Sequence, residues 1–151
     1  MTHCFEEQDA AAVIAFEEVA EHEVSQYGIA KPASDDEVFR ILDLVEKPST
    51  RDAPSRLAIA ARYVLAPAIF DALAKTRRDS RGEIQLTDAI RAVIRGGGRA
   101  YGVRLQPGER RYDIGNFEAY FEAFVEFALA DPKFGATLRQ HLQALLDVSH
   151  A

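Results

Sequence analysis

Glu46-Lys47-Pro48 is the part of this sequence whose side chains best suit ligand chemistry. A carboxylate can accept hydrogen bonds from sugar hydroxyls, and a lysine is a compact point charge suited to phosphate. The pair follows a predicted strand, where open α/β sheets place ligand groups. Adjacent residues on an extended chain face opposite ways, so both can serve one ligand only if the strand bends there. The same pair could equally be a solvated ion pair before a turn. Asp113 ends another predicted strand, between Tyr112 and Ile114. It could hold magnesium, a hard cation that prefers oxygen ligands, or cap the following helix near Asn116. Gly28 could let backbone approach a ligand closely, or mark a turn or bulge.

Other candidates carry less. Gly96-Gly97-Gly98 lacks the following helix and lysine of a phosphate loop, and reads as a helix end. Arg77, Arg78 and Arg81 lie in a polar stretch and read as a solvated loop. His3, His22, His141 and His150 have no ligand-like spacing. The single cysteine, Cys4, forms no internal disulfide, and no nucleophile, base and orienter set is visible.

The elements that must position these residues follow from apolar pattern. Ala12–Phe16 reads as a buried strand, Tyr27-Gly28-Ile29 as a short one, and Val38–Val45 as an alternating one, with Val38 and Leu42 among its apolar residues. Leu57–Leu65 is a further strand candidate. Pro67 then opens a helix expected to turn Ile69, Phe70 and Leu73 inward. Helical spacing recurs in Ile84–Ile94, Ala100–Leu105 reads as a strand, and Arg111–Gly115 as another. Phe117, Tyr120, Phe121, Phe124, Phe127 and Ala128 form one stripe of a helix, opposite Glu118, Glu122 and Glu126. A last helix carries Leu138, Leu142, Leu145 and Leu146. Strands and helices mix, so the class is α/β or α+β.

At 151 residues the chain suits one domain over 1–151. A net charge of -6 argues against nucleic acid or an anionic membrane as partner. No apolar stretch is long enough to span a bilayer, and the N-terminus lacks a signal-peptide layout, so a cytoplasmic protein is expected.

Six motifs in order make the pattern specific. They are Val24–Ile29, Leu44–Pro48, Ala53–Ile59 running into Arg62–Leu65, Gly82–Ile90, Tyr112–Asn116 and Ala123–Leu129. In order and spacing they resemble bacterial UTP–glucose-1-phosphate uridylyltransferases, in the C-terminal, sugar-phosphate-binding half. The resemblance implies a partial Rossmann-like nucleotidyltransferase fold with a mixed sheet and C-terminal helices. It implies the joining of UTP and glucose 1-phosphate into UDP-glucose and pyrophosphate, with Mg2+. Gly28 would touch the sugar through its backbone, Glu46 bind sugar hydroxyls, Lys47 meet the sugar's phosphate, Ile59 lie near the sugar, and Asp113 bind magnesium.

The sequence also departs from the family pattern. It has no glycine-rich nucleotide loop with its arginine and lysine-proline segment, and no second magnesium carboxylate. Arg56 stands where asparagine is usual, Ala61 where glycine is usual, and Phe117 where many relatives have lysine. Loss of central strands is expected to leave an open sheet edge and an apolar face. A homo-oligomer, or a partner chain carrying the missing half, is therefore expected. The alternative reading is a non-catalytic truncated paralogue serving as a sugar-phosphate-binding, oligomerisation or regulatory module.

Overall fold

Five apolar runs become five strands: β1 (Ala12–Glu18), β2 (Gly28–Pro32), β3 (Val38–Glu46), β4 (Leu57–Leu65) and β5 (Ala100–Arg104). Among the described residues five α-helices accompany them: α1 (Thr2–Glu7), α2 (Ala68–Lys75), α3 (Leu86–Arg95), α4 (Phe117–Ala130) and α5 (Gly135–Val148). A 3-10 helix, Glu21–Gln26, leads into β2. The computed structural model describes residues 1–106, 108–109, 111–112 and 114–148. The chain divides into two units, Met1–Glu109 and Arg110–Ala151.

In the first unit the sheet is mixed, as expected. β1 runs parallel to β5, and the other pairings are antiparallel. The strand order β1-β4-β2-β3-β5 closes on itself. Each strand thus has two neighbours, and the expected open edge is absent. The closing contacts are the parallel β1–β5 pairing and the short β3–β5 pairing of Val38–Arg40 with Tyr101–Val103. Phe39 seals the second seam. A methyl group on Gly102 would lie 2.2 Å from its Cζ, so only glycine admits the ring.

The core gathers Ile14, Phe16, Phe39, Ile41, Leu44 and Ile90, all fully covered. Burying each such side chain contributes roughly 1.5–3 kcal/mol. Phe16 and Phe39 meet with ring centroids 5.5 Å apart. In β3 the buried set is Phe39, Ile41 and Leu44, while Val38 and Leu42 face outward. A register shift opposite Lys31 and Pro32 changes the phase, and a one-residue slip exchanges the two faces of a strand.

Pro67 caps α2 as expected. Ile69 turns inward with Ala72 and Leu73 beside the core, but Phe70 is 72% exposed. Residues at i, i+3 and i+4 share a helix face, and position 70 lies about 100° round from position 69. Helix α3 buries Ala89 and Ile90, with Leu86, Val93 and Ile94 alongside. Gly96-Gly97-Gly98 closes it: the Gly96 and Gly98 amides donate to Ala92 and Val93 carbonyls, and Gly97 is left-handed at φ +93°.

The second unit is helical. Asn116 caps α4, its Oδ1 accepting from the Ala119 amide at 2.9 Å. The expected strand over Arg111–Gly115 does not form at its described residues. Tyr112 instead packs on Phe127 at 4.8 Å and donates to Glu126 at 2.7 Å. The aromatic stripe of α4 is largely exposed, Phe117 at 81%, and only Ala123 of that helix is buried. No helix among the described residues is long and apolar enough to cross a membrane.

Candidate functional site

Gly28 opens β2 directly opposite Glu46, the last residue of β3. A methyl on Gly28 would stand 2.8 Å from Ile59 Cδ1, 3.0 Å from Thr87 Oγ1 and 3.2 Å from Glu46 Oε2. Side chains from β4, α3 and β3 thus converge on one point beside bare backbone. That is a close-approach site, which glycine permits.

The strand bends where the pairing of Glu46 with Lys47 requires it. Lys47 takes a left-handed conformation, φ +45°, and its amide donates to the Tyr27 carbonyl at 3.0 Å. This conformation costs a non-glycine residue roughly 1–2 kcal/mol. Such strain clusters at functional sites. The bend brings Lys47 Nζ within 4.0 Å of Glu46 Oε1. The carboxylate is mostly covered and the ammonium half exposed, so a cation and a shielded acceptor stand side by side. Burial, and then the Glu46 charge, push the Tyr63 phenol above its usual range. It therefore stays protonated at neutral pH.

Two devices place α3, and with it Thr87. Asp43 of β3 accepts two hydrogen bonds from Arg91, each 2.7 Å, and Arg95 lies 3.7 Å away. Chiefly through the Arg91 hydrogen bonds, the Asp43 carboxyl is held below the usual carboxylate range. Ahead of α3, Asp79 accepts from the amides of Arg81 and Glu83 and from Gln85 Nε2 at 2.8–2.9 Å. Those bonds, the Glu83 amide's first, bring its carboxyl down to about 2. The chain entering the helix is thereby fixed.

Of the sequence-predicted residues, Gly28, Glu46, Lys47 and Ile59 come together. Asp113 lies outside the described residues. No group of three His, Cys, Asp or Glu side chains suited to a metal gathers among the described residues. Thr87 was missed as a site residue. It is the one polar residue in the buried class among those described, at 7% exposure. Its signal was a hydroxyl at an apolar phase, in register with Ile90 and Ile94.

The arginine-rich loop is spent on itself: Arg78 donates to the Gly82 carbonyl and Arg81 pairs with Asp79 and Glu83. A groove of about 570 Å³ between α2 and α3 is lined by Lys75, Arg77, Arg95 and Asp71 among others. It includes none of the converging residues, and the site is defined by its chemistry rather than by groove size. Two departures also find local explanations. Arg56 pairs with Glu18 across β1 and β4. Ala61 sits left-handed, φ +52°, in the bulge opposite Ile14 and Phe16, a conformation that favours glycine.

A family model described as nucleotidyl transferase matches residues 1–129. The chain belongs to that family. This nucleotidyl transferase segment is 39% identical over 135 residues to a UTP–glucose-1-phosphate uridylyltransferase of Bacillus subtilis, covering 89% of the segment and 44% of the relative. It is 40% identical over 118 residues to one of Pseudomonas aeruginosa, covering 77% and 41%. A solved UTP-bound enzyme of this kind from Acinetobacter baumannii superposes with TM-score 0.81 at 34% identity, covering 95% of the segment and 48% of that chain. A UDP-glucose pyrophosphorylase complexed with UDP-glucose gives 0.75 at 38%, covering 84% and 47%. The resemblance of the six ordered motifs to this enzyme family is borne out. The segment spans somewhat less than half the length of the curated relatives it matches.

Proposed function

We propose that this segment supplies the sugar-phosphate-binding part of a nucleotidyltransferase that makes UDP-glucose and pyrophosphate from UTP and glucose 1-phosphate. The observation that carries the reading is the bend at Lys47, which sets an ammonium 4.0 Å from the shielded Glu46 carboxylate, beside the side-chain-free Gly28. A hexose phosphate needs those groups together: a cation for the phosphate, an acceptor for hydroxyls, and backbone that can come close. Ile59 supplies the apolar wall.

In the reaction, a phosphate oxygen of the sugar attacks the α-phosphorus of UTP and pyrophosphate leaves opposite. Both reactants are anions. Lys47 screens their repulsion and the phosphoryl charge of the transition state, and Glu46 orients the sugar. Magnesium belongs to the same proposal: Asp113 would provide one carboxylate, and Mg2+ ordinarily adds phosphate oxygens and water to one or two such ligands.

Turnover requires a nucleotide-binding half, in the same polypeptide or another. The exposed aromatic face of α4 supports such a partner, since contiguous apolar surface of that kind marks an interaction site. A pyrophosphate-release assay with UTP, magnesium and glucose 1-phosphate tests this. The 151-residue chain alone is expected to be inactive, and to gain turnover when a family nucleotide-binding half is added. Turnover by the chain alone contradicts the need for a second half. Size measurement separates a partner from self-association: a concentration-dependent homo-oligomer that Phe121→Asp disperses would mean that a second copy covers α4 instead.

A further inference from the structure

The groove of about 570 Å³ between α2 and α3 shares no residue with the sugar-phosphate site. Four cations line it, Lys75, Arg77, Arg91 and Arg95, against two carboxylates, Asp71 and Asp88. The groove is therefore net positive in a chain whose net charge is -6. A cleft with an excess of one sign draws in ligands of the other. Lys75 and Arg95 each sit in a last helical turn, where a cation also favours the helix itself. That reason does not extend to Arg91, inside α3, or to Arg77, beyond the end of α2. The side chains of Lys75 and Arg77 make no hydrogen bond or ion pair among the described residues. The Arg91 side chain is only 29% exposed and is held still by Asp43, which takes its Nε and Nη2 but not its Nη1. A guanidinium already fixed loses little freedom on meeting a ligand.

We infer that this groove binds a small metabolite carrying two or more phosphoryl groups together with free hydroxyls. The cations set the first part. They form two groups, Lys75 with Arg77 at the end of α2 and Arg91 with Arg95 on α3, so each wall can meet one phosphoryl group. The carboxylates set the second part. Asp71 and Asp88 repel a bare polyphosphate, but an ionised carboxylate accepts hydrogen bonds from hydroxyls. Hydroxyls on the ligand turn those two groups from a penalty into a means of selection. A nucleoside diphosphate and a hexose bisphosphate both have this chemistry, and the groove has the volume of an ordinary small-molecule site.

The test is an NMR titration of the full chain, without magnesium, with UDP, glucose 1,6-bisphosphate and inorganic pyrophosphate as probes. The parent is expected to bind UDP or the bisphosphate saturably, with shifts over residues 68–77 and 88–95. That binding should be at least about tenfold tighter than for pyrophosphate, and the tighter of the two probes identifies the source of the ligand. The double variant Lys75→Ala/Arg77→Ala changes two exposed side chains, and preserved spectra report that it is folded. It should weaken the binding at least about tenfold, for the loss of two charge-assisted contacts. Asp71→Asn removes a like charge, so it should strengthen pyrophosphate binding without improving that of the hydroxyl-bearing probe. Equal affinity for all three probes, groove shifts that the double variant leaves intact, or no groove shifts at all would overturn the inference. Glucose 1-phosphate shifts around Gly28, Glu46 and Lys47 report the sugar-phosphate reading separately, so either can fail while the other stands.

Discussion

The unit Met1–Glu109 buries most of its large apolar side chains, whereas Arg110–Ala151 leaves most of its own in water. In the first, five strands close into a ring, so backbone donors and acceptors find partners and Phe16, Phe39 and Ile41 are covered. In the second, α4 exposes Phe117, Phe121, Phe124 and Phe127. Both stretches are rich in apolar residues, so composition does not separate them. What differs is connectivity. A ring buries its inner face by closing, but a pair of helices has outer faces that only a further element can cover. The candidate ligand site belongs to the first unit, and the exposed aromatic stripe of α4 to the second.

Core truncations should separate the units most strongly. Phe39→Ala removes the ring packed on Gly102 and should cost about 3–5 kcal/mol in chemical denaturation. Phe121→Ala, on the exposed face of α4, should stay within about 0.5 kcal/mol. Equal costs would break the comparison. Gly102→Ala probes the closing seam: the new methyl meets Phe39 ring carbons at 2.2–2.8 Å, and overpacking should cost about 1–3 kcal/mol.

A smaller effect should come from the clamp on α3. Asp43→Asn loses a charged, two-point hydrogen bond to Arg91 and should destabilise by about 1–2 kcal/mol at neutral pH. The folded Asp43 carboxyl sits below its unfolded value of about 3.9. Its contribution is therefore present above that pH and lost as pH falls through the folded value. The parent should thus lose its advantage over the variant below about pH 4, as read by acid-dependent thermal melts. Ala61→Gly should act in the opposite direction, a gain of up to about 1 kcal/mol in the same denaturation measurement, as left-handed strain in the bulge is relieved.

The elements of the first unit were legible because buried strands read as apolar runs, and α3 as a 3.6-residue period. Ring closure was not. It depends on the parallel pairing of β1 with β5, whose partners, such as Val13 and Tyr101, are far apart in sequence. Which apolar residues of β3 turn inward was not legible, because a register shift is invisible in a list of residue types. Phe70 was placed inward on hydrophobicity alone, although its helix face is set by Ile69 and Leu73. At the site, Glu46 and Lys47 were legible as chemistry, and the need for a bend followed from strand geometry. That a lysine would supply the bend by adopting positive φ has no signal in sequence. Thr87 escaped because a polar residue in a first helical turn ordinarily faces solvent.

The central claim is tested most directly by titrating the chain with glucose 1-phosphate, followed by NMR, in parallel with the Lys47→Ala variant. The account predicts saturable binding with shifts around Gly28, Glu46 and Lys47, weakened at least about tenfold by the variant, as expected for loss of a charge-assisted contact. Binding that the variant leaves unchanged, or shifts confined to the groove between α2 and α3, would contradict it.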